Sequence, residues 1–146
     1  MAKRKSLKED PCPVARCIDV VGDRWALLII RDAFDGMRRF GEFQKSLGVA
    51  KNILSTRLRD LVHAEILEVT PASDGSAYQE YVLTPKGREL FIVVLSLRQW
   101  GEGHLYQQGE RCAALVDRKS GKAISRIELR TDDGELVAME DAVFKK

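Results

Sequence analysis

Residues 51–66 constrain the fold more than any other stretch of the chain. Leu54, Leu58, Leu61 and Val62 recur there at helical spacing and form one apolar stripe. Such a stripe predicts an amphipathic helix that packs on a core through one side. The rest of the chain must therefore supply the elements that cover this stripe.

The opposite side of the same helix carries short hydrogen-bonding side chains and one long cation. At 100° per residue they fall together on the outward face; they are Asn52, Ser55, Thr56 and Arg59, with Lys51 at the start of the helix. These side chains suit the base edges and phosphates of a DNA major groove. An ordinary surface helix has a mixed polar face too, so the neighbouring segments decide between the two interpretations.

The composition limits what surrounds this helix. The 146 residues, 45% hydrophobic and 32% charged, suffice for one core with a small appendage. The sequence has no run of eighteen apolar residues and no signal-peptide core, so we expect a soluble, cytoplasmic protein without a membrane partner. Its three cysteines are an odd set without a disulfide-framework pattern, which agrees with a reducing compartment.

Basic residues are concentrated in the first part of the chain. Residues 1–59 contain 13 Lys or Arg against 7 Asp or Glu, a balance of +6, whereas residues 60–146 contain 11 against 15, a balance of −4. This asymmetry is typical of a chain whose first part faces a polyanion. Residues 1–10 are expected to be a flexible basic arm, either close to DNA phosphates or simply solvated.

Two helices are predicted directly after the arm. Pro13 favours the first position of a helix, which makes Cys12 the N-cap residue. Asp23 is placed to cap a second helix over residues 24–34, and Gly36 ends it.

A short helical segment, residues 37–48, precedes the residue 51–66 helix. Its apolar residues at helical spacing are Phe40, Phe43 and Leu47, and a glycine ends it. Two helices joined by three or four residues that include glycine form a helix-turn-helix, whose second helix enters the groove while the first crosses the backbone. Arg38 and Arg39, just ahead of the first helix, are placed to reach phosphate.

The hydrophobic period changes from about 3.6 to 2 after Ile66. Apolar residues alternate on both sides of a turn at residues 73–76, and they are Leu67, Val69, Tyr81 and Leu83. This pattern predicts a β-hairpin, and a hairpin that follows a recognition helix is a wing. Its tip contains no Lys or Arg, which argues against deep insertion of a basic wing into a minor groove.

A further helix is predicted from Thr84, its cap, with Pro85 in the first turn. Its apolar residues cover more surface than a small winged-helix core can bury; they are Leu90, Phe91, Val94, Leu95, Leu97, Trp100 and Gly101. This excess predicts a dimer interface.

Six sequence blocks follow one another along these elements. They are Cys12-Pro13-Val14, Gly22-Asp23-Arg24-Trp25, Arg39-Phe40-Gly41-Glu42-Phe43, Leu54-Ser55-Thr56-Arg57-Leu58, Tyr81-Val82-Leu83-Thr84 and Leu97-Arg98-Gln99-Trp100-Gly101. In this order they resemble the HxlR-type family of winged-helix transcriptional regulators. The resemblance implies a homodimer, built through the N-terminal and last long helices, that represses from a roughly palindromic operator. Dimer symmetry would place the two recognition helices ~34 Å apart.

The helix face and the resemblance together assign roles to seven residues. Base or groove contacts are assigned to Asn52, Ser55, Thr56 and Arg59, and phosphate contacts to Lys51, Arg38 and Arg39. Arg57 belongs to a family block but lies nearer the buried flank. An ion pair with Asp60 or another acid explains it as well as a DNA contact does.

Cys12 is the candidate for redox chemistry. At an N-cap its sulfur would face free backbone N–H groups, and Arg16 would add a cation, so the thiolate would be favoured. Some family members sense electrophiles or oxidants through a cysteine at this position, and the resemblance extends that role to Cys12; the alternative is a structural or capping cysteine. Cys112 is a candidate partner for Cys12 of a second subunit, whereas Cys17 is predicted to be buried.

Residues 109–146 are predicted to form a small antiparallel β extension. Three stretches that read as strands, residues 113–117, 123–130 and 135–139, alternate with turns. The extension is an edge-blunting structural addition, a cover for the dimer, or a site that accepts a small-molecule effector. Many relatives have Cys-Gly pairs there, but this chain has only Cys112, and its two histidines lack ligand spacing. We therefore expect no metal and no cofactor.

The sequence thus predicts a mainly α fold with a β-hairpin wing (α+β), with a DNA-binding and dimerisation domain over residues 11–108. Double-stranded DNA and a second copy of the chain are the expected partners. We expect no enzymatic activity, because the sequence has no phosphate-binding glycine loop and no Ser/His/Asp arrangement. A winged-helix module that binds protein instead of DNA is the alternative.

Overall fold

The computed structural model describes residues 5–145. Lys3 and Arg4 of the predicted basic arm lie outside the described residues. The chain divides into two compact units, one up to Val94 and one from Leu95, and each is described by itself.

The first unit contains a helix-turn-helix followed by a two-stranded antiparallel hairpin. Its elements are α1 (Pro13–Val21), α2 (Arg24–Phe34), α3 (Phe40–Leu47), α4 (Lys51–His63), β1 (Leu67–Pro71), β2 (Gln79–Leu83), α5 (Pro85–Arg88) and the start of α6 (Phe91–His104). The predicted fold class, mainly α with a β wing, is confirmed.

The starts of the first two helices follow the predicted caps. Pro13 occupies the first turn of α1, and Cys12 is its N-cap residue. At α2, Oδ2 of Asp23 accepts hydrogen bonds from the backbone N–H groups of Trp25 and Ala26, both at 3.1 Å. Pro13 therefore marks the start of α1, and the Asp23 cap marks the start of α2.

The core of this unit lies among α2, α3 and α4. The largest fully buried side chains include Ile29, Ile30, Phe43, Leu54, Leu58 and Leu61. The apolar stripe of α4 packs into this core, as its sequence predicted. A turn after α3 with Gly48 in the left-handed region (φ +62°) leads the chain into α4.

The predicted extent of α4, to residue 66, is too long by three residues. The N–H of Ile66 donates to the carbonyl of Leu61 at 2.9 Å, and the N–H of Glu65 donates to that of Val62 at 3.0 Å. These two bonds form a Schellman motif, with Glu65 in the left-handed position (φ +62°) where glycine is more usual. The chain then turns directly into β1.

The predicted hairpin is present. β1 and β2 pair antiparallel with Leu67 opposite Leu83 and Val69 opposite Tyr81. After the hairpin, Thr84 accepts a hydrogen bond from Gly87 N–H at 2.9 Å and caps α5, as predicted. The long helix predicted from this point is interrupted after Arg88, and α6 begins only at Phe91.

The second unit contains most of α6 and the residues after it. The turns predicted at residues 119–122 and 132–134 are present, and each is flanked by one isolated antiparallel bridge, Val116 with Ala123 and Arg130 with Leu136. The predicted strands are reduced to these bridges. In the described residues, two backbone hydrogen bonds join the chain segments before and after each turn. Residues 139–141 add a short 3-10 helix.

Candidate nucleic-acid interface

The outward face of α4 is polar and open, whereas its inner face is closed. Asn52, Ser55 and Arg59 are exposed. On the opposite side of the helix, Leu54, Leu58 and Leu61 are each at most 2% exposed. Within the described chain, no hydrogen bond or ion pair engages the side chains of Asn52, Ser55 or Arg59. Their donors and acceptors are available to a ligand.

Thr56 differs from the other predicted groove residues. Its side chain is half-buried, and Oγ1 donates to the backbone carbonyl of Asn52 at 2.9 Å. Because its hydroxyl proton is used inside the helix, Thr56 can offer a ligand only its acceptor lone pairs or its methyl group.

The first turn of α4 is not closed by a side chain. Ala50 is the N-cap residue and makes no capping hydrogen bond, and the exposed Lys51 follows it. The first N–H groups of a helix have no partner within the helix, and they carry the positive end of its dipole. This end of α4 is therefore suited to a phosphate group.

Arg57 has a structural role that resolves the alternatives left by the sequence. Its Nε donates to Oδ2 of Asp23 at 2.7 Å. Burial disfavours the Asp23 carboxylate, but the bonds from Arg57 and from the N–H groups that it caps outweigh this, so the pKa of Asp23 is lowered. The Asp23 carboxylate thus caps the N-terminus of α2 and, through Arg57, also links α4 to α2.

Arg38, predicted to contact phosphate, reaches the wing. Its Nη1 lies 3.3 Å from Oε2 of Glu80, whose side chain is only 4% exposed. The other oxygen of Glu80 accepts from the N–H and the hydroxyl of Ser73, both at 2.9 Å. The bonds from Ser73 and then the contact with Arg38 hold the pKa of Glu80 below its usual value.

Arg39, also predicted to contact phosphate, reaches the tip of the wing. Its Nη2 donates to Oδ2 of Asp74 at 2.5 Å, and its guanidinium lies 5.5 Å from the ring centre of Tyr78. The hydrogen bond with Asp74 raises the pKa of Arg39. Hydrogen bonds from Ser76 and then Arg39 lower the pKa of Asp74 to about 2.

Asp74 and Glu80 are the carboxylate partners of the two arginines, and the sequence patterns did not reveal them. The only signal was the acidic tip without Lys or Arg, because the pairs join residues 35 and 42 positions apart. Glu42 completes the arrangement by accepting from the N–H groups of Arg38 and Arg39 at 3.2 and 3.0 Å. The structure thus brings both arginines together with the wing and separates their role from that of the α4 face.

The cysteine predictions are confirmed in part. Cys12 is exposed at the N-cap, but its sulfur makes no capping hydrogen bond; its N–H donates to Asp10 at 2.9 Å. Nε of Arg16 donates a hydrogen bond to the backbone carbonyl oxygen of Asp10. The prediction that Cys17 is buried is wrong, because the apolar side of α1 is itself exposed in the single chain, with Val14 at 63%.

In residues 5–145, no group of three or more His, Cys, Asp or Glu is placed to hold a metal ion. No helix in the same range has the length and apolarity that a membrane span needs.

Comparison with known proteins identifies the fold's family. The model of the HxlR-like helix-turn-helix family matches residues 20–109, which include α2 to α6. The chain belongs to this family. Residues after 109 lie outside the match.

Individual relatives agree with this assignment. HTH-type transcriptional regulator Rv3095 of Mycobacterium tuberculosis is 45% identical over 92 residues, which are 63% of this chain and 58% of that protein. The chain therefore matches less than two thirds of the length of this relative. The crystal structure of PA1607 is 50% identical with a TM-score of 0.90, and the match covers 96% of this chain and 98% of that one. The redox regulator HypR in its reduced form is 30% identical with a TM-score of 0.60, over 64% of this chain and 94% of that one.

Proposed function

We propose that the protein is a DNA-binding transcriptional regulator that reads a major groove with α4. The observation that carries the proposal is the outward face of α4, where Asn52, Ser55 and Arg59 are exposed and their side chains have no partner among residues 5–145. Amide and guanidinium groups of this kind make bidentate contacts with base edges. Thr56 would contribute its methyl group or oxygen, at the edge of the same face.

Phosphate contacts position the helix in this proposal. Lys51 and the open N–H groups of the first turn of α4 bind one phosphate. Arg38 and Arg39 contribute only the guanidinium N–H groups that Glu80 and Asp74 do not use. The wing is then a support at the edge of the interface, because its tip is acidic.

We further propose a homodimer that represses transcription from a roughly palindromic operator. The apolar sides of α1 and α6 support a dimer, since Val14, Ile18, Leu97 and Trp100 are all exposed in the single chain. A two-fold dimer would place two copies of α4 about one helical turn of DNA apart, ~34 Å.

A gel-shift titration tests DNA binding. DNA from upstream of the gene and a scrambled fragment are titrated with protein across a series of salt concentrations, with wild type and Lys51→Ala. We expect tighter binding to the upstream DNA and a salt slope that falls by about 0.9 in Lys51→Ala, the value for one phosphate contact. Arg88→Ala, an exposed arginine in α5, is the matched control.

The rival function, a winged-helix module that binds protein, makes a different prediction. Binding that is absent, or that is insensitive to salt, would contradict DNA recognition and favour the rival. An unchanged slope in Lys51→Ala with otherwise normal binding would remove only the phosphate role of Lys51.

Redox control through Cys12 is a second part of the proposal. It is supported by the exposure of Cys12 at the start of α1 and by the likeness to the redox regulator HypR. Diamide should release wild-type protein from DNA and leave Cys12→Ser bound, with Cys17→Ser as the matched control on the same helix. Equal release of wild type and Cys12→Ser would contradict this role.

A further inference from the structure

Residues 105–145 have a definite conformation but no core of their own. In the first turn, Asp117 N–H donates to the carbonyl of Lys122 at 2.8 Å, and in the second, Thr131 N–H donates to that of Glu135 at 2.9 Å. None of residues 105–145 is buried. Local hydrogen bonds therefore shape this segment without providing cover for its apolar side chains.

The apolar side chains of this segment are numerous and open. Leu136, Met139, Val143 and Phe144 are exposed by 64%, 82%, 86% and 97%. In the same unit, α6 exposes Trp100 by 59%. Summed over Trp100 and the exposed apolar side chains of the segment, the open apolar surface amounts to roughly 1,000 Å². A stable interface covers ~800 Å² on each partner.

The charges of the segment divide into two halves of opposite sign. Residues 111–130 contain six Lys or Arg against two Asp or Glu, a balance of +4. Residues 131–141 contain five Asp or Glu and no Lys or Arg, a balance of −5. In a two-fold interface, a contact between the basic half of one copy and the acidic half of its partner is repeated in reverse, and in that arrangement the two halves are complementary between copies.

We propose that residues 105–145 form a dimerisation arm whose partner is the same segment of a second copy. The basic half of one arm, residues 111–130, lies against the acidic half of the other, residues 131–141, and the exposed apolar side chains are covered between them. The inference rests on the homodimer of the proposed function and adds a contact that the family match, which ends at residue 109, does not include.

Two charge-reversal variants of the full chain test the arm. The basic-half variant is Arg118→Glu with Lys119→Glu, and the acidic-half variant is Asp132→Lys with Glu135→Lys; all four residues are exposed. By analytical ultracentrifugation, each variant alone should dimerise about tenfold more weakly than wild type, because both arm contacts lose their attraction. An equimolar mixture should form a heterodimer several-fold tighter than either homodimer, since one wild-type contact is retained.

The controls separate failure of the arm from failure of the proposed function. Lys45→Glu with Arg88→Glu changes the charge equally at exposed positions of the first unit and should dimerise as wild type. Circular dichroism checks that every variant is folded. The arm contact is wrong, and the homodimer of the proposed function stands, if both arm variants dimerise as strongly as wild type. The same holds if their mixture dimerises no more tightly than either variant alone. A monomeric wild type would overturn the homodimer and the arm together.

Discussion

The outward face of α4 and the loop end of the wing carry similar polar groups but differ in how those groups are paired. Within the described chain, Arg59 on α4 has no acidic partner, whereas Arg38 and Arg39 each bind a wing carboxylate. A charge that is compensated internally fixes geometry, and a charge without an internal partner remains available to a ligand. The comparison separates residues that hold the wing from residues that are free to read DNA.

The largest expected effect concerns the inner side of α4. Leu58 is fully buried, so Leu58→Ala should lower the free energy of unfolding by about 2–5 kcal/mol. Ser55→Ala, on the exposed face of the same helix, should change it by less than about 0.5 kcal/mol. Urea denaturation followed by circular dichroism measures both. Equal losses would mean that the two faces of α4 are not distinct.

The next effect sets the unpaired arginine against the paired one. Arg59→Ala should weaken binding to operator DNA by about 1–3 kcal/mol and relax its sequence preference. Arg39→Ala should cost less, because the N–H group nearest Asp74 is not free for phosphate. Fluorescence anisotropy with operator and scrambled DNA measures both affinities. A larger loss in Arg39→Ala than in Arg59→Ala would reverse the comparison.

Much of this arrangement follows from local sequence, and the rest depends on contacts between distant residues. The start of α2 was predictable because Asp23 caps its first turn, and the hairpin was predictable because apolar residues alternate on both sides of a turn. The partners of Arg38 and Arg39 could not be predicted, because they lie 42 and 35 positions away in the sequence. Helical or strand periodicity carries no information about contacts at that distance.

Two other differences have local causes that sequence patterns do not record. The end of α4 was placed too late because Glu65 adopts a left-handed conformation that usually marks glycine. The strands after residue 109 were predicted too long because alternation signals an extended chain but not the partner that would extend a sheet.

A smaller effect is expected where Glu80 holds the loop end of the wing. Glu80→Gln removes the charge that Arg38 and Ser73 bind, so the hairpin tip should open more often. Backbone amides of residues 73–76 should exchange hydrogen several-fold faster, as measured by NMR, while those of α4 are unchanged. Faster exchange across both elements would indicate a general loss of stability and not a local role.

The smallest effect is the titration of Asp74, and it separates the two causes of its low pKa. Because the folded pKa lies near 2, below the ordinary 3.8, the stabilising contact is complete above pH ~4 and is lost as the pH falls towards 2. The bonds from Ser76, whose N–H donates to Oδ1 at 3.0 Å, remain when Arg39 is replaced. In Arg39→Gln, carboxyl NMR should therefore show a pKa that rises only part of the way to 3.8. A full return to 3.8 would mean that Arg39 alone holds the wing tip, and no rise would mean that the tip is ordered by its own turn and is independent of α3.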